Sequence, residues 1–196
     1  MITTEPMLLE VNCHNLIKGI GSLRYDVWQR ESDSFAKVFP LGMWLDPDDM
    51  EAKHFAVFCD GMIVAAARVT IHDNLNDIPD FPQYALCENQ FKYPIASFNR
   101  LVVKREYRKR GIASMLVEAR LKYAAENARG AVCIGHGRQA DRLQRYGFKD
   151  FGIAKKYSTL YKTFPEDSMV LYHDLNGIEK VLPSFKKEKQ VEIYAS

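Results

Sequence analysis

The chain has 196 residues, which at about 150 residues per domain predicts one domain with a small extension. Its hydrophobic fraction of 47% and charged fraction of 27% sit near globular averages and exclude disordered and collagen-like classes. The longest wholly apolar run, Met62–Ala67, has six residues where a membrane-spanning helix needs about 20, and the acidic opening MITTEPMLLE does not read as a signal peptide, so the expectation is a soluble, cytoplasmic protein.

The net charge of +2 conceals one concentration: residues 104–110, KREYRKR, hold five bases and one acid, so the remainder sums to −2. A nucleic-acid binder spreads its basic residues over a face or stripe, and no nucleic-acid partner is expected. The four cysteines, Cys13, Cys59, Cys87 and Cys133, form no CxxC pair. Without an export signal they are expected to be reduced, and no metal site is predicted.

In chain order, Met7–Val11 reads as an edge strand. Asn12 or Asn15 caps a helix to about Arg30, with Leu16, Ile20, Leu23 and Val27 at helical spacing and Gly19 and Gly21 weakening its start. Residues 32–47 read as a loop, followed by a short helix with Pro47 at its first position and acids in its first turn. Two β runs flanking Asp60-Gly61 predict a hairpin with a type I′ turn. Residues 72–94 form a long connection with one helical turn, and a loop of that length is often functional. Residues 95–103 are a strand. An amphipathic helix runs over 111–127, with Ile112, Met115, Leu116, Ala119 and Tyr123 on one face. A strand at 131–134, a helix over 138–146 ended by Gly147, and strands near 158–163 and 169–175 complete the order. Hairpins mixed with one β-α-β crossover give an α/β (α+β) mixed sheet covered by helices, assigned as one domain over 1–182 with a charged tail over 183–196.

The junction between the 95–103 strand and the helix after it carries the chemistry. The strand delivers a basic, glycine-containing loop into a helix N-terminus, whose first N–H groups lack internal partners and whose dipole is positive. Gly111 lets backbone approach a ligand, Ala113 and Ser114 do not block it, and Arg108 and Arg110 add full charges. This anion site suits a diphosphate better than a single carboxylate. A rival, Gly135-His-Gly-Arg-Gln-Ala140, fits a GxGxxA dinucleotide fingerprint but lacks the acid expected about 20 positions on; a tight strand-to-helix turn accounts for its glycines.

The pattern Arg108-x-x-Gly111-x-Ala113, with Gly147-Phe148 placed 36 residues after Gly111 at the end of a helix and Met169–Tyr172 as a closing strand, resembles the GNAT superfamily of N-acyltransferases over residues 7 to 175. The resemblance implies a mixed, mostly antiparallel sheet flanked by helices on both faces. It also implies that acetyl-CoA or another acyl-CoA is the co-substrate, with no metal. Its pyrophosphate would lie on Arg108, Lys109, Arg110, Gly111, Ile112, Ala113 and Ser114, and its pantetheine arm on the backbone of Leu101, Val102 and Val103. Attack by an amine builds negative charge on the thioester oxygen, which a preorganised N–H stabilises, and the amine must shed a proton.

Many members place an acidic tyrosine four residues before the glycine of Gly-Phe. Here that position is Leu143, with Tyr146 offset by three. Candidate bases are Glu88 and His72, and Ser97 or Asn99 could hold a water, so no catalytic residue is assigned. A second resemblance, to acyl-homoserine-lactone and N-acyl-amino-acid synthases, rests on Arg24, Trp28, Arg68 and Arg100, and implies that these residues, with Asn99, shape the substrate region. The glutamate that usually stands three residues before the strand arginine is Ser97 here. Arg24 and Arg68 could equally pair with acids such as Asp26 or Glu31. The expectation is an N-acyltransferase moving an acetyl group directly to a small-molecule or peptide amine in a ternary complex. The alternatives are a longer-chain acyltransferase using acyl carrier protein or acyl-CoA, or a non-catalytic acyl-CoA-binding module. Late strands in this family often pair between subunits, which implies an option for a homodimer.

Overall fold

The computed structural model describes residues 5–29, 35–154, 166–176 and 178. The elements are β1 (Met7–Val11), α1 (His14–Trp28), α2 (Phe35–Val38), β2 (Lys53–Cys59), β3 (Met62–His72), β4 (Ile95–Val103), α3 (Ile112–Asn127), β5 (Gly130–Gly135), α4 (Gly137–Arg145), β6 (Lys149–Ile153) and β7 (Met169–Asp174). The strands form one mixed, mostly antiparallel sheet in the order β1-β2-β3-β4-β5-β7-β6, the class expected from the sequence. The strand expected at 158–163 and the tail over 183–196 lie outside the described residues.

Two compact units share the strands and α3. The first takes the described residues up to Arg68 together with Arg100–Ala119. Its β1 pairs antiparallel with β2, Met7 opposite Phe58 and Val11 opposite His54, and the hairpin turn at Asp60-Gly61 has both φ angles positive, at 50° and 75°, as a type I′ turn requires. Its core joins Val11, Ile17, Ile20, Leu23, Ala56, Phe58, Ala66 and Val102. Helix α1 starts after Cys13, whose side chain makes no capping bond, rather than at either asparagine. Gly21 is no defect in that helix: a Cβ there would sit 2.7 Å from Met43 Cγ and 2.9 Å from Leu45 Cδ2, and the Trp44 N–H donates to Gly21 O at 3.0 Å. The bare backbone is the seat on which residues 43–45 dock.

The second unit takes Val69–Asn99 and the described residues from Arg120 onward. Here β4 runs parallel to β5, pairing Ile95, Ala96 and Ser97 with Gly130, Ala131 and Val132. On its other side β5 pairs antiparallel with β7, and β7 with the irregular edge strand β6. The 72–94 connection is not an open loop. It folds into three short 3-10 turns, at Leu75–Asp77, Phe81–Leu86 and Glu88–Gln90, and buries Ile78, Tyr84 and Cys87 against Ile95, Val132, Val170 and Tyr172. The buried stripe of α3 is Ile112, Leu116, Val117, Arg120, Leu121 and Ala124, so Met115, Ala119 and Tyr123 flank it rather than form it. Gly135 lets α4 press close, since a Cβ there would be 3.5 Å from Ala140 Cα and 3.2 Å from Leu171 Cδ1. The GxGxxA glycines thus serve a tight strand-to-helix turn.

Candidate functional site

The loop after β4 is built as a cationic cradle. Lys104 N–H donates to Val64 O at 2.9 Å, carrying the strand on for one more residue. A 3-10 turn over Arg105–Tyr107 follows, pinned by the buried Tyr107 ring. Lys109 and Gly111 then adopt left-handed backbone, φ 63° and 79°, the kind of turn conformation from which anion-binding nests are made. Arg108 Nε donates to Val103 O at 3.1 Å, and the Arg110 guanidinium lies 5.6 Å from the Tyr107 ring centroid. Arg108, Lys109, Arg110 and Gly111 are exposed, Ala113 and Ser114 half-buried, and Ile112 buried, anchoring the helix start. Gly111 O accepts from the N–H groups of Ser114 and Met115, so the amides of 111–113 precede the helix's own ladder. A Cβ on Gly111 would meet nothing within 4 Å. The glycine serves its φ, and no neighbouring protein atom crowds it.

Strand β4 opens where the cradle's strand begins. Its parallel pairing with β5 ends at Ser97, Asn99, Arg100 and Leu101 are half-buried, and Val102 and Val103 are buried. Arg100 has φ 54°, a left-handed residue in mid-strand that costs roughly 1–3 kcal/mol and marks a functional kink more often than an accident.

Arg100 belongs to a network of three arginines and two aspartates. Its Nε donates to Asp46 Oδ2 at 2.5 Å, and its guanidinium stacks 4.6 Å from the Trp44 ring centroid. Trp44 donates to Asp46 Oδ1 at 3.0 Å and meets Trp28 edge-on, centroids 5.9 Å apart. Arg68 Nη1 reaches Asp46 Oδ2 at 3.2 Å and Asp49 Oδ1 at 3.0 Å, and Arg24 Nη1 donates to Asp49 Oδ2 at 2.7 Å. Arg24 and Asp49 are 0% exposed and Arg68 1%. His54 Nε2 donates to Asp49 O at 2.7 Å, leaving Nδ1 facing Arg24 Nη2 at 3.5 Å. Burial pushes the Asp46 carboxyl up, but the Arg100 hydrogen bond and the Arg100 and Arg68 charges overcome it and hold it at about 2. Burial lowers His54, so its ring is neutral.

The structure therefore brings Arg24, Trp28, Arg68 and Arg100 into one network, with Asp49 as the described partner of Arg24 rather than Asp26; Glu31 lies outside the described residues. Arg24 and Arg68 act through the aspartates, and Arg100 and Trp28 are the members left half-buried. Trp44, Asp46, Asp49 and His54 escaped the sequence reading. The one available signal was Asp46-Pro-Asp-Asp49, whose acids a helix start explains without any partner.

In the second unit His72 Nε2 meets Ser97 Oγ at 2.8 Å, and Asn99 Nδ2 donates to the same oxygen at 3.3 Å. Glu88 is exposed, Leu143 is fully buried, and Tyr146 is half-buried at the end of α4. Gly147, φ 94°, ends that helix against His173, and the Phe148 ring meets Phe98 at a tilt of 58°, centroids 5.7 Å apart. All four cysteines are free thiols. Among the described residues no cluster of three or more His, Cys, Asp or Glu side chains could hold a metal, and no helix is long and apolar enough to cross a membrane.

The model of the acetyltransferase (GNAT) family matches residues 22–148. No curated protein matches the chain in sequence. Among solved structures, the chain is similar to FeeM, an N-acyl amino acid synthase from uncultured soil microbes, with TM-score 0.66, 14% identity, and 91% of this chain and 95% of that one covered. It is similar to BjaI, a CoA-dependent acyl-homoserine lactone synthase solved with SAM and isopentyl-CoA, with TM-score 0.64, 15% identity and 96% of each chain covered. It also resembles a GNAT-family acetyltransferase from Streptococcus pneumoniae, with TM-score 0.56, 16% identity, and 87% and 99% covered. At these identities the likeness is one of fold.

Proposed function

The chain belongs to the acetyltransferase (GNAT) family and is an acyltransferase, and on that premise we propose that it moves an acetyl group from acetyl-CoA directly to a primary amine in a ternary complex. The observation that carries the reading is the cradle after β4: left-handed Lys109 and Gly111, three exposed cations, and a helix start that offers the amides of 111–113. A CoA pyrophosphate supplies the charge and the oxygen acceptors that such a cradle lacks. The pantetheine arm runs along the backbone of Leu101–Val103, and an amide there faces the thioester oxygen. When the amine attacks, that oxygen becomes an oxyanion, and a fixed N–H stabilises it without reorganisation. The leaving group is the CoA thiolate.

Arg100, Trp28 and Asn99 are the residues that face the acceptor, a small-molecule or peptide amine, while Arg24 and Arg68 hold Asp46 and Asp49 so that Arg100 keeps its kinked geometry. A cytoplasmic location, which four free thiols support, one catalytic domain over 1–182 with a tail over 183–196, and a homodimer belong to the same reading. The rival donor is a longer acyl chain, as CoA or carrier-protein thioester. The synthase-like arginine set favours it, and FeeM and BjaI act with acyl groups by name.

The test is thermal unfolding with CoA, acetyl-CoA, octanoyl-CoA and NAD, followed by thiol release from the preferred thioester with a panel of amino acids, polyamines and short peptides. A ligand at about 100 times its Kd adds roughly 2.7 kcal/mol, or about 5–10 °C for a chain of this size. Stabilisation by acetyl-CoA that disappears in the double variant Arg108→Ala/Arg110→Ala is the expected result. Greater stabilisation by octanoyl-CoA selects the longer-chain donor. No stabilisation by any CoA compound overturns the acyltransferase site, and stabilisation by NAD alone moves it to Gly135–Ala140.

A further inference from the structure

His54 lies on β2, fully buried, and charge reaches it from three other segments: Arg24 on α1, Asp49 in the turn over Pro47–Met50, and Arg68 on β3. From β1 the apolar Val11 stands opposite it. A carbonyl oxygen only accepts, so the bond to Asp49 O at 2.7 Å puts a proton on Nε2. The Asp49 carboxylate, 3.6 Å off, also stands on the Nε2 side. A guanidinium nitrogen only donates, so Nδ1, 3.5 Å from Arg24 Nη2, is bare and accepts. The tautomer is fixed from both sides, and a further proton enters at Nδ1, pointing at a cation.

Asp49 connects this ring to Arg100, and every member of the connection belongs to the first unit. Asp49 Oδ2 accepts from the Asp46 N–H at 2.7 Å, and Arg68 Nη1 bridges Asp49 Oδ1 and Asp46 Oδ2. Asp46 in turn holds Arg100 Nε and the Trp44 indole N–H. Three guanidinium groups already face two carboxylates, and an imidazolium would add a fourth cation where water does not screen it. A proton that the closed network repels is accepted by an opened one, so acid draws the network open.

We propose that His54 is a positioning residue for Arg100: as the neutral Nε2–H ring it joins Asp49 to Arg24, and protonation at Nδ1 breaks that joint and releases Asp46, Trp44 and Arg100 from their shared geometry. The joint rests on the first unit's geometry; its effect on turnover rests on the acceptor reading above. Burial, with the Arg24 and Arg68 charges, holds the ring below its ordinary 6.5, so the release falls below that pH.

The test uses the full chain and reads the Trp44 indole N–H, one of two indoles in the sequence. Nitrogen-15 NMR at about pH 7.5 is expected to show His54 as the Nε2–H tautomer. As the pH falls below about 6.5, the Trp44 signal should move with the midpoint of the His54 ring while far-UV circular dichroism holds. The amide of His54→Gln can donate to Asp49 O and accept from Arg24 without titrating, so there the Trp44 signal should keep its neutral-pH position and no longer move. In kinetics with acetyl-CoA and the best amine of the panel, the rise in amine KM from about pH 7.5 to about pH 5.5 should be at least about fivefold smaller in His54→Gln than in wild type, with the KM for acetyl-CoA changing alike in both. An Nδ1–H tautomer, separate midpoints for His54 and Trp44, dichroism lost at the same midpoint, an indole that titrates equally in His54→Gln, or an amine KM that rises equally in both proteins overturns the proposal. If His54→Gln does not fold, the tautomer and the paired midpoints of the wild type decide. A wild type whose Trp44 follows His54 but which acylates no amine upholds the joint and removes the acceptor reading.

Discussion

Asp49 carries more of this molecule than its position in a short acidic turn suggests. Two arginines, 0% and 1% exposed, close on its two oxygens, and its own backbone holds His54. A buried ion pair adds little over a well-packed apolar pair, but removing one side strands the other, at about 3–5 kcal/mol. Asp49→Asn keeps the shape and withdraws the charge from both guanidinium groups, so it should lower the free energy of urea unfolding by about 3 kcal/mol and impair Arg100 indirectly. A loss under about 1 kcal/mol would mean that the arginines find other partners. The residue chemistry was legible in part. Arg24, Arg68 and Arg100 could be picked out by type and place, but their carboxylates lie 25, 19 and 54 positions away along the chain. A pairing of that separation exists only once residues 43–49 have folded onto α1.

At the scale of elements, that docking rests on Gly21. Alanine is the better helix former by about 1 kcal/mol, and a reading from propensity alone would predict that Gly21→Ala stabilises the protein. The added methyl would instead stand 2.7–2.9 Å from Met43 and Leu45, and overpacking of this kind costs about 1–3 kcal/mol. The clash wins, so Gly21→Ala should lower the thermal midpoint and loosen the Trp44 ring, read as a red shift of tryptophan emission; a higher midpoint would refute the docking. Elements with a strong local pattern were legible: the Asp60-Gly61 hairpin, β4 and α3 lie within a residue or two of their expected bounds. Strand β6 was not, because Lys-Asp-Phe-Gly-Ile has no alternating apolar face and forms an irregular edge ladder on β7. The 72–94 connection was misjudged for a related reason. Its Pro, Asn and Asp residues signal turns, while the three residues that fix it, Ile78, Tyr84 and Cys87, are too widely spaced to show a period.

For the whole molecule, the buried titrating groups set a stability plateau. His54 is held below its ordinary 6.5 by burial, so the unfolded chain binds that proton more readily, and stability falls as pH drops below about 6.5. Asp46, at about 2 against an ordinary 3.8, adds a second loss as pH falls from about 4 toward 2. On the alkaline side burial pushes the Cys87 thiol from 9.0 up to about 12. The unfolded chain gives up that proton first, and stability declines above pH 9. Chemical unfolding followed across pH should therefore give a plateau between about pH 7 and 9 with a descending limb on each side. In His54→Gln, which removes the titrating ring, the decline between about pH 6.5 and 5 should flatten, and an unaltered acid limb would show that another group sets it.

The KREYRKR segment has a practical consequence as well. Trypsin cuts after lysine and arginine, and Arg108, Lys109 and Arg110 stand exposed in succession beside a left-handed bend, whereas among the described residues most other basic side chains lie on helices and strands that resist entry to a protease cleft. The first cut in a brief digest should fall there and divide the chain into two fragments on a gel. A nucleotide seated across those side chains would cover the susceptible bonds, so the persistence of the uncut band, titrated against CoA, would report occupancy of the cradle without an acceptor, a chromophore or a label.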